Sequence, residues 1–101
     1  MADQTVGGQQ YKTHIELNDV LIKVKSQKGK CRWGHKVGDE WIVKNNKTPE
    51  GICLSAFQVL IPNIRLFMTD GSIPWATSES HVMACPDPDN IVLFELKRLR
   101  K

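Results

Sequence analysis

The sequence has no long apolar run, and its first ten residues, MADQTVGGQQ, are polar. A helix that crosses a bilayer needs about 18 consecutive apolar residues, and a secretory signal peptide needs an apolar segment near its N-terminus. Because both patterns are missing, we expect a cytoplasmic protein that does not enter a membrane.

Several motifs of nucleotide-binding and hydrolytic enzymes are also missing. The chain has no Gly-x4-Gly-Lys-Ser/Thr phosphate loop, no dinucleotide-binding glycine fingerprint and no Gly-x-Ser-x-Gly elbow. These absences argue against nucleotide-dependent enzymes and α/β-hydrolases. We therefore predict no organic cofactor, and a small molecule as the substrate if the protein is an enzyme.

What is present is an ordinary globular composition: 101 residues, of which 41% are hydrophobic and 25% charged. Such a chain is expected to fold as one domain near the lower end of the usual size range. Residues 1–10 contain two glycines and three glutamines, so we predict a flexible N-terminal segment there and a single domain over residues 11–101.

The net charge of +3 is modest, and much of it lies in the C-terminal KRLRK and in lysines 23, 25, 28 and 30. A basic tail suggests an acidic partner. The alternative is that Lys23 and Lys25 form the solvent face of a strand and that the tail only aids solubility. No aromatic RNA-binding motif accompanies the charge, so nucleic acid is not favoured as a partner.

Two segments alternate between apolar and polar residues as half-buried strands do, one around Val20–Val24 and one around Val92–Leu96. Shorter strands are predicted over residues 11–17, 40–44 and 81–85. The order β-β-β-α-β-β indicates an α+β fold, with a mostly antiparallel sheet or small open barrel and helix packed on it.

The helix is predicted from an apolar stripe at helical spacing, formed by Cys53, Phe57, Leu60 and Ile64. Thr48 followed by Pro49 is typical of an N-cap and first helical position. Pro62 lies inside the stripe, so we expect one bent helix or two short helices.

The three cysteines cannot all pair within one chain, and in a reducing cytoplasm they would remain thiols. Together with His35, the residues Cys31, Cys53 and Cys85 form a ligand set suited to zinc or iron. Only Cys31 and His35 are close in sequence, so the fold must bring the others to them. The alternative is that Cys53 and Cys85 are buried core residues.

A reactive thiol is a second hypothesis. Cys31 lies among basic residues, which favour a thiolate, and His35 is near enough in sequence to act as its acid or base, with Asp39 orienting the imidazole. The segment ACPDPDN adds Cys85 and Asp87 as catalytic candidates. The alternative interpretation of this segment is a tight turn without a chemical role, because Asp and Asn are favoured in such turns.

Tryptophans supply candidate pocket walls. Trp33 and Trp75 lie in or beside glycine-containing loops, and aromatic walls with a few polar groups, here including Asp39, are typical of small-molecule pockets. Trp41 opens a predicted strand and is more simply explained by burial in the core.

Six motifs taken in order resemble an uncharacterised family of small proteins of about this length: GKCRWGHKVGDEW, TPEGICLSAF, PNIRLF, IPW, ACPDPDN and VLFELKRL. The resemblance covers about residues 19–99. It implies that the three cysteines and the histidine belong to one pattern, and it implies no activity. The family tends to have small residues before Pro-Trp, where this chain has Thr69 and Asp70. The positions carried over are Cys31, Gly34, His35, Gly38, Asp39, Pro49, Gly51, Cys53, Ala56, Pro74, Trp75, Cys85, Pro86 and Asp87.

These patterns lead to three functional hypotheses. The first is a transition-metal site that binds zinc or iron. The second is a small isomerase or lyase that uses Cys31 or Cys85 with His35 and Asp87. The third is an interaction module with a basic C-terminal tail. Because so short a chain often completes its pocket at a subunit interface, we also expect a homo-oligomer.

Overall fold

The structure is a computed structural model, and it describes residues 16–74 and 79–100 together with the backbone of two short N-terminal strands. These strands, β1 (Thr5–Val6) and β2 (Gln9–Gln10), pair with each other antiparallel. The flexibility expected for residues 1–10 stays a prediction. Most of the strand predicted over residues 11–17 lies outside the described residues, and positions 16 and 17 are not in a strand.

The main body is an open four-stranded antiparallel sheet with one helix packed on it, which confirms the α+β prediction. The strands follow the order β4-β3-β6-β5, so the two longest strands are central and the two shorter ones form the edges. The bounds are β3 (Asp19–Gln27), β4 (Glu40–Val43), α1 (Leu54–Met68), β5 (Ser80–Ala84) and β6 (Val92–Leu99).

The core lies between one face of the two central strands and one side of α1. Ile22 of β3 pairs with Leu96 of β6, and Val24 pairs with Phe94, so the alternating apolar residues of both strands share a face. Burial of each such side chain contributes about 1.5–3 kcal/mol. The helix covers that face with its buried apolar residues Ala56, Phe57, Leu60, Ile64, Phe67 and Met68.

The start of the helix differs from the sequence prediction. Helix α1 begins at Leu54 with Cys53 as its N-cap, so the prediction that Thr48 is the N-cap and Pro49 the first helical residue was wrong. The reason is Gly51, whose φ of +86° is a left-handed conformation that interrupts a right-handed helix at this point. Pro62 lies inside one continuous helix rather than dividing it.

Arg98 is the one charged side chain that the described structure buries almost completely, at 3% exposed. It occupies the inward position of β6 that follows Leu96 in the alternation. Its guanidinium donates to the backbone carbonyls of Leu66 and Phe67 at 3.1 and 3.0 Å and also to the carbonyl of Gly71. Arg98 therefore joins the end of α1 to the sheet.

Within the described part of the chain, no helix combines the length and the apolar character that crossing a membrane requires.

Candidate functional site

A cavity of about 240 Å³ opens where three segments meet: the loop after β3, the start of α1 and the turn between β5 and β6. Each segment contributes one cysteine to its lining. Cys31 comes from the loop, Cys53 is the N-cap of α1, and Cys85 directly follows β5. All three are free, half-buried thiols. The fold therefore brings the whole cysteine content of the chain to one cavity.

Backbone contacts fix the Cys31 loop against the β5–β6 turn. The Lys28 amide donates to the Ile91 carbonyl at 2.7 Å, and the Lys30 amide donates to Asn90 Oδ1 at 3.2 Å. Between them, Gly29 has a φ of +79°, and a Cβ there would lie 2.7 Å from Asn90 Oδ1. Glycine is therefore required for this close approach.

The turn is organised by Asp87. Its Oδ1 accepts the backbone N–H groups of Asp89 at 3.0 Å and Asn90 at 3.3 Å, and its Oδ2 lies 3.6 Å from Arg32 Nε. The hydrogen bond from Asp89 is the largest cause that lowers the pKa of Asp87 below its usual value, with Arg32 adding to it. An ionised carboxylate with these partners is a weak proton acceptor. Asp87 lines the cavity but acts first as the residue that shapes the turn.

The thiol of Cys85 belongs to the same turn. Its Sγ accepts the Val92 N–H at 3.2 Å and is 3.7 Å from the Asn90 carbonyl oxygen, to which it donates. In contrast, the sulfurs of Cys31 and Cys53 make no hydrogen bond within residues 16–74 and 79–100. Cys31 and Cys53 are thus the two thiols left available for chemistry.

His35 lines the cavity, but its imidazole is already engaged. Nε2 accepts the Cys53 backbone N–H at 3.0 Å, which requires that this nitrogen be unprotonated. The ring is 7% exposed and packs edge-on against Trp41, with ring centroids 4.7 Å apart. Burial lowers the pKa of His35 below 6.5, and the charge of Asp39 partly opposes this shift.

This hydrogen bond changes the role expected for His35. The neutral imidazole that accepts at Nε2 carries its proton on Nδ1, so neither nitrogen has a lone pair for a metal ion or a substrate proton. The roles of metal ligand and general base proposed for His35 do not fit this geometry. Instead, His35 fixes the N-cap of α1 and with it the position of Cys53.

No group of three or more Cys, His, Asp or Glu side chains among the described residues is arranged to hold a metal ion. The zinc or iron site with the four ligands Cys31, His35, Cys53 and Cys85 therefore stays a prediction. The hydrogen bond from the Cys53 N–H to His35 Nε2 argues against His35 as one of the ligands.

The aromatic and acidic pocket candidates have different positions. Trp33 lines the cavity from its rim and is 71% exposed. Asp39 does not orient the imidazole through a hydrogen bond. Its Oδ2 accepts the Lys36 N–H at 2.9 Å and closes a turn, which is the usual local use of an aspartate. Trp75 lies outside the described residues.

Some lining residues were not anticipated from the sequence. Asn90 and Arg32 contact the cysteine-bearing loops, and Ser55, beside the motif position Ala56, brings the first turn of α1 to the cavity wall. That turn contains no acidic residue, and Cys53 makes no side-chain cap. The unpaired amides at the start of a helix favour negative charge, so this wall suits an anionic group.

The chain matches no protein-family model, no curated protein and no solved structure. The family resemblance described above therefore stays a prediction.

The hydrogen bonds predict an order of thiol reactivity. Cys85 is expected to alkylate slower than Cys31 and Cys53 by about fivefold, because its Sγ is held in two hydrogen bonds and losing one that is worth about 1 kcal/mol costs that factor. Site-resolved mass spectrometry after brief treatment of the native protein with iodoacetamide measures the alkylation rate at each of the three cysteines. Equal rates at all three sites, or a faster Cys85, would contradict the assignment. Urea-unfolded protein, in which all three rates should converge, is the control.

Proposed function

We propose that this protein binds a small molecule in the three-cysteine cavity and acts on it through a thiol, as an isomerase or lyase without an organic cofactor. The observation that carries the proposal is the meeting of Cys31, Cys53 and Cys85 on one cavity from distant parts of the chain. All three cysteines also pack against the core, but packing alone gives no reason for them to line the same open cavity.

The proposed chemistry is assigned to the two thiols that lack hydrogen-bond partners in the described structure. One of Cys31 and Cys53, as a thiolate, removes a proton from a carbon atom of the ligand, and the other, as a thiol, returns one. Cysteine is an established acid or base in such steps. The start of α1 stabilises the negative charge that develops on the ligand.

The other lining residues have positioning roles in this proposal. His35 holds the backbone of Cys53, and Asp87 with Asn90 holds the turn that carries Cys85. A cavity of about 240 Å³ is smaller than the usual pocket for a drug-sized molecule, which favours a compact ligand.

Amide chemical shifts during a screen of small carbonyl and carboxylate compounds test the proposal. Binders are expected to shift resonances of residues 31–35, 53–56 and 85–92 together. In D2O the wild-type protein should incorporate deuterium at a carbon of its ligand, and Cys31→Ser and Cys53→Ser should each abolish this while preserving the spectrum of the fold. The proposal fails if binders shift only residues elsewhere, or if exchange persists in both variants.

A metal site is the second candidate, and the hydrogen bond from the Val92 N–H to Cys85 Sγ favours it. Amide donors to sulfur are typical of metal-bound thiolates. The three cysteines would supply three ligands to zinc or iron and leave one position open to the cavity, without His35. Metal binding would have to draw the three segments closer together.

Metal analysis of protein purified without chelators separates the two candidates. About one equivalent of metal would support the metal site. Metal-free protein in which Cys31 and Cys53 are alkylated rapidly would favour the thiol-dependent isomerase or lyase.

The interaction-module hypothesis has the least support. Of the cations expected in a free basic tail, Arg98 is buried, and Arg100 pairs with Asp70 and Glu79 at 3.1 and 3.0 Å.

A cytoplasmic location suits the proposed site, because a reducing compartment keeps the thiols free. The homo-oligomer remains a prediction that sedimentation can test.

A further inference from the structure

A shallow groove of about 490 Å³ adjoins the three-cysteine cavity and shares part of its wall. The shared residues are Trp33, His35, Cys53 and Ser55, and Ile52 and Leu54 extend the groove away from the cavity. We call this depression the Trp33–Leu54 groove. The cavity and the groove therefore adjoin along these four residues.

The groove is flanked by two of the most exposed large apolar side chains in the described structure. Trp33 is 71% exposed and Leu54 is 79% exposed, although Phe57, one helical turn after Leu54, is buried. Single exposed apolar residues are common on protein surfaces and need no explanation. Two that border the same groove at the mouth of a cavity form a continuous apolar surface.

The groove and the cavity differ in their charged residues. The groove lining includes no lysine, arginine, aspartate or glutamate among the described residues, and its histidine accepts a hydrogen bond in the neutral form. The cavity, in contrast, includes Arg32, Asp87 and the start of α1. The charged side chains of the combined site therefore lie at the cavity end, and the groove end has none among the described residues.

We propose that the ligand of the cavity carries an apolar arm, alkyl or aryl, and that this arm lies in the Trp33–Leu54 groove. The inference rests on the proposed function, since it assigns the reacting end of the same ligand to the thiols. It narrows the substrate class to amphipathic molecules with a compact polar end. Trp33 and Leu54 are then specificity residues, which hold the arm and take no part in the reaction.

A series of N-alkylmaleimides tests whether the groove binds an apolar arm. These reagents react with thiols, and Cys53 lines both the cavity and the groove. In the addition, the thiolate sulfur bonds to one alkene carbon, the carbon–carbon π bond breaks, and the neighbouring carbon takes a proton from water. The wild-type protein is treated with sub-stoichiometric N-methyl, N-ethyl, N-butyl and N-hexyl reagents. The rate at Cys53 is read by peptide mass spectrometry and divided by the rate of each reagent with glutathione.

The expected normalised rate rises about twofold or more per methylene, since burial of a methylene in an apolar site has that effect or a larger one. Trp33→Ala and Leu54→Ala should each flatten this dependence of the normalised rate on chain length. Ile42→Ala is the matched control, because Ile42 is an exposed apolar residue on β4 that does not line the groove.

Rates at Cys53 that do not depend on chain length would overturn the inference and leave the proposed function intact, since a thiol that reacts with N-methylmaleimide is still accessible. A dependence that survives both Trp33→Ala and Leu54→Ala would also overturn it. So would self-association of the chain that either substitution abolishes, because the groove would then hold a second copy. Failure of the proposed function itself is seen separately, in the ligand screen and the deuterium exchange.

Discussion

Replacing Arg98 with alanine is expected to lower the free energy of unfolding by about 3–5 kcal/mol, the usual cost of removing one partner from a buried charged network. The substitution would remove the guanidinium donors from the carbonyls of Leu66, Phe67 and Gly71. Within the described residues, the first two would keep only the Thr69 hydroxyl and the Asn18 side-chain amide. It would also remove the guanidinium that lies 5.0 Å from the centre of the Phe67 ring. Urea denaturation followed by circular dichroism measures the change.

Two further variants show that the effect depends on the buried guanidinium rather than on charge. Arg98→Lys keeps the charge but not the planar set of donors, so we expect an intermediate loss of about 1.5–3 kcal/mol. Arg100→Ala removes an exposed cation that pairs with the same Glu79 and should shift the midpoint little. Equal, small effects of Arg98→Ala and Arg100→Ala would contradict the proposed join between α1 and β6.

Replacing His35 with alanine is expected to cost about 2–4 kcal/mol. The change removes a buried ring from its contacts with Trp41 and Phe94 and leaves the Cys53 N–H without an acceptor. Because that N–H lies at the N-cap of α1, we also expect amide exchange to accelerate in the first turn of the helix. Hydrogen-exchange mass spectrometry checks this local effect beside the global one.

The same hydrogen bond makes stability depend on pH. Burial lowers the pKa of His35 in the folded state, whereas the unfolded chain has the ordinary value of about 6.5. The unfolded state therefore binds more protons below pH 6.5, and the folded state loses stability as the pH falls from about 6.5 through the lowered pKa. Well above pH 6.5 both states are neutral at this residue and the contribution is complete.

His35→Gln separates this effect from the titration of other groups. Glutamine offers an oxygen near the position of Nε2 but does not ionise, so the difference in stability between wild type and variant should shrink as the pH falls from 7.5 to 5. Parallel stability curves for the two proteins across this range would show that His35 is not the group responsible.

Local patterns accounted for most of the fold. The alternation of Val20, Ile22 and Val24 identifies β3, and the helical spacing of Phe57, Leu60 and Ile64 identifies the buried face of α1. The helix start was missed because Thr48 and Pro49 have favourable local chemistry, while the positive φ of Gly51 depends on the surrounding structure. A single sequence does not reveal which glycine adopts that conformation.

Arg98 was missed although the sequence carried the signal. Arg98 falls on the same inward-facing side of β6 as Val92, Phe94 and Leu96. Because it is charged, it was interpreted as part of a basic tail instead. Alternation was the better guide, because the carbonyls at the end of α1 need donors and a buried arginine supplies several. An arginine on the apolar face of a predicted strand can therefore indicate a buried structural residue.

The sequence named four residues that line the cavity, but not the contacts that they make. The sequence indicated that Cys31, His35, Cys53 and Cys85 belong together, and all four line one cavity. It did not indicate that His35 Nε2 is occupied by the Cys53 N–H, because residues 18 positions apart meet only through the fold. That contact moves the proposed chemistry from an imidazole to the thiols.

The central claim is that the three cysteines share one small cavity, and their mutual protection is its most direct test. Native protein is treated with excess N-phenylmaleimide, and intact mass is followed over time. We expect one adduct to form and the second and third to follow at least about tenfold more slowly, because the succinimide ring of the first adduct obstructs a cavity of about 240 Å³ that the other two thiols share. Three independent additions at similar rates to protein that remains folded would contradict the claim.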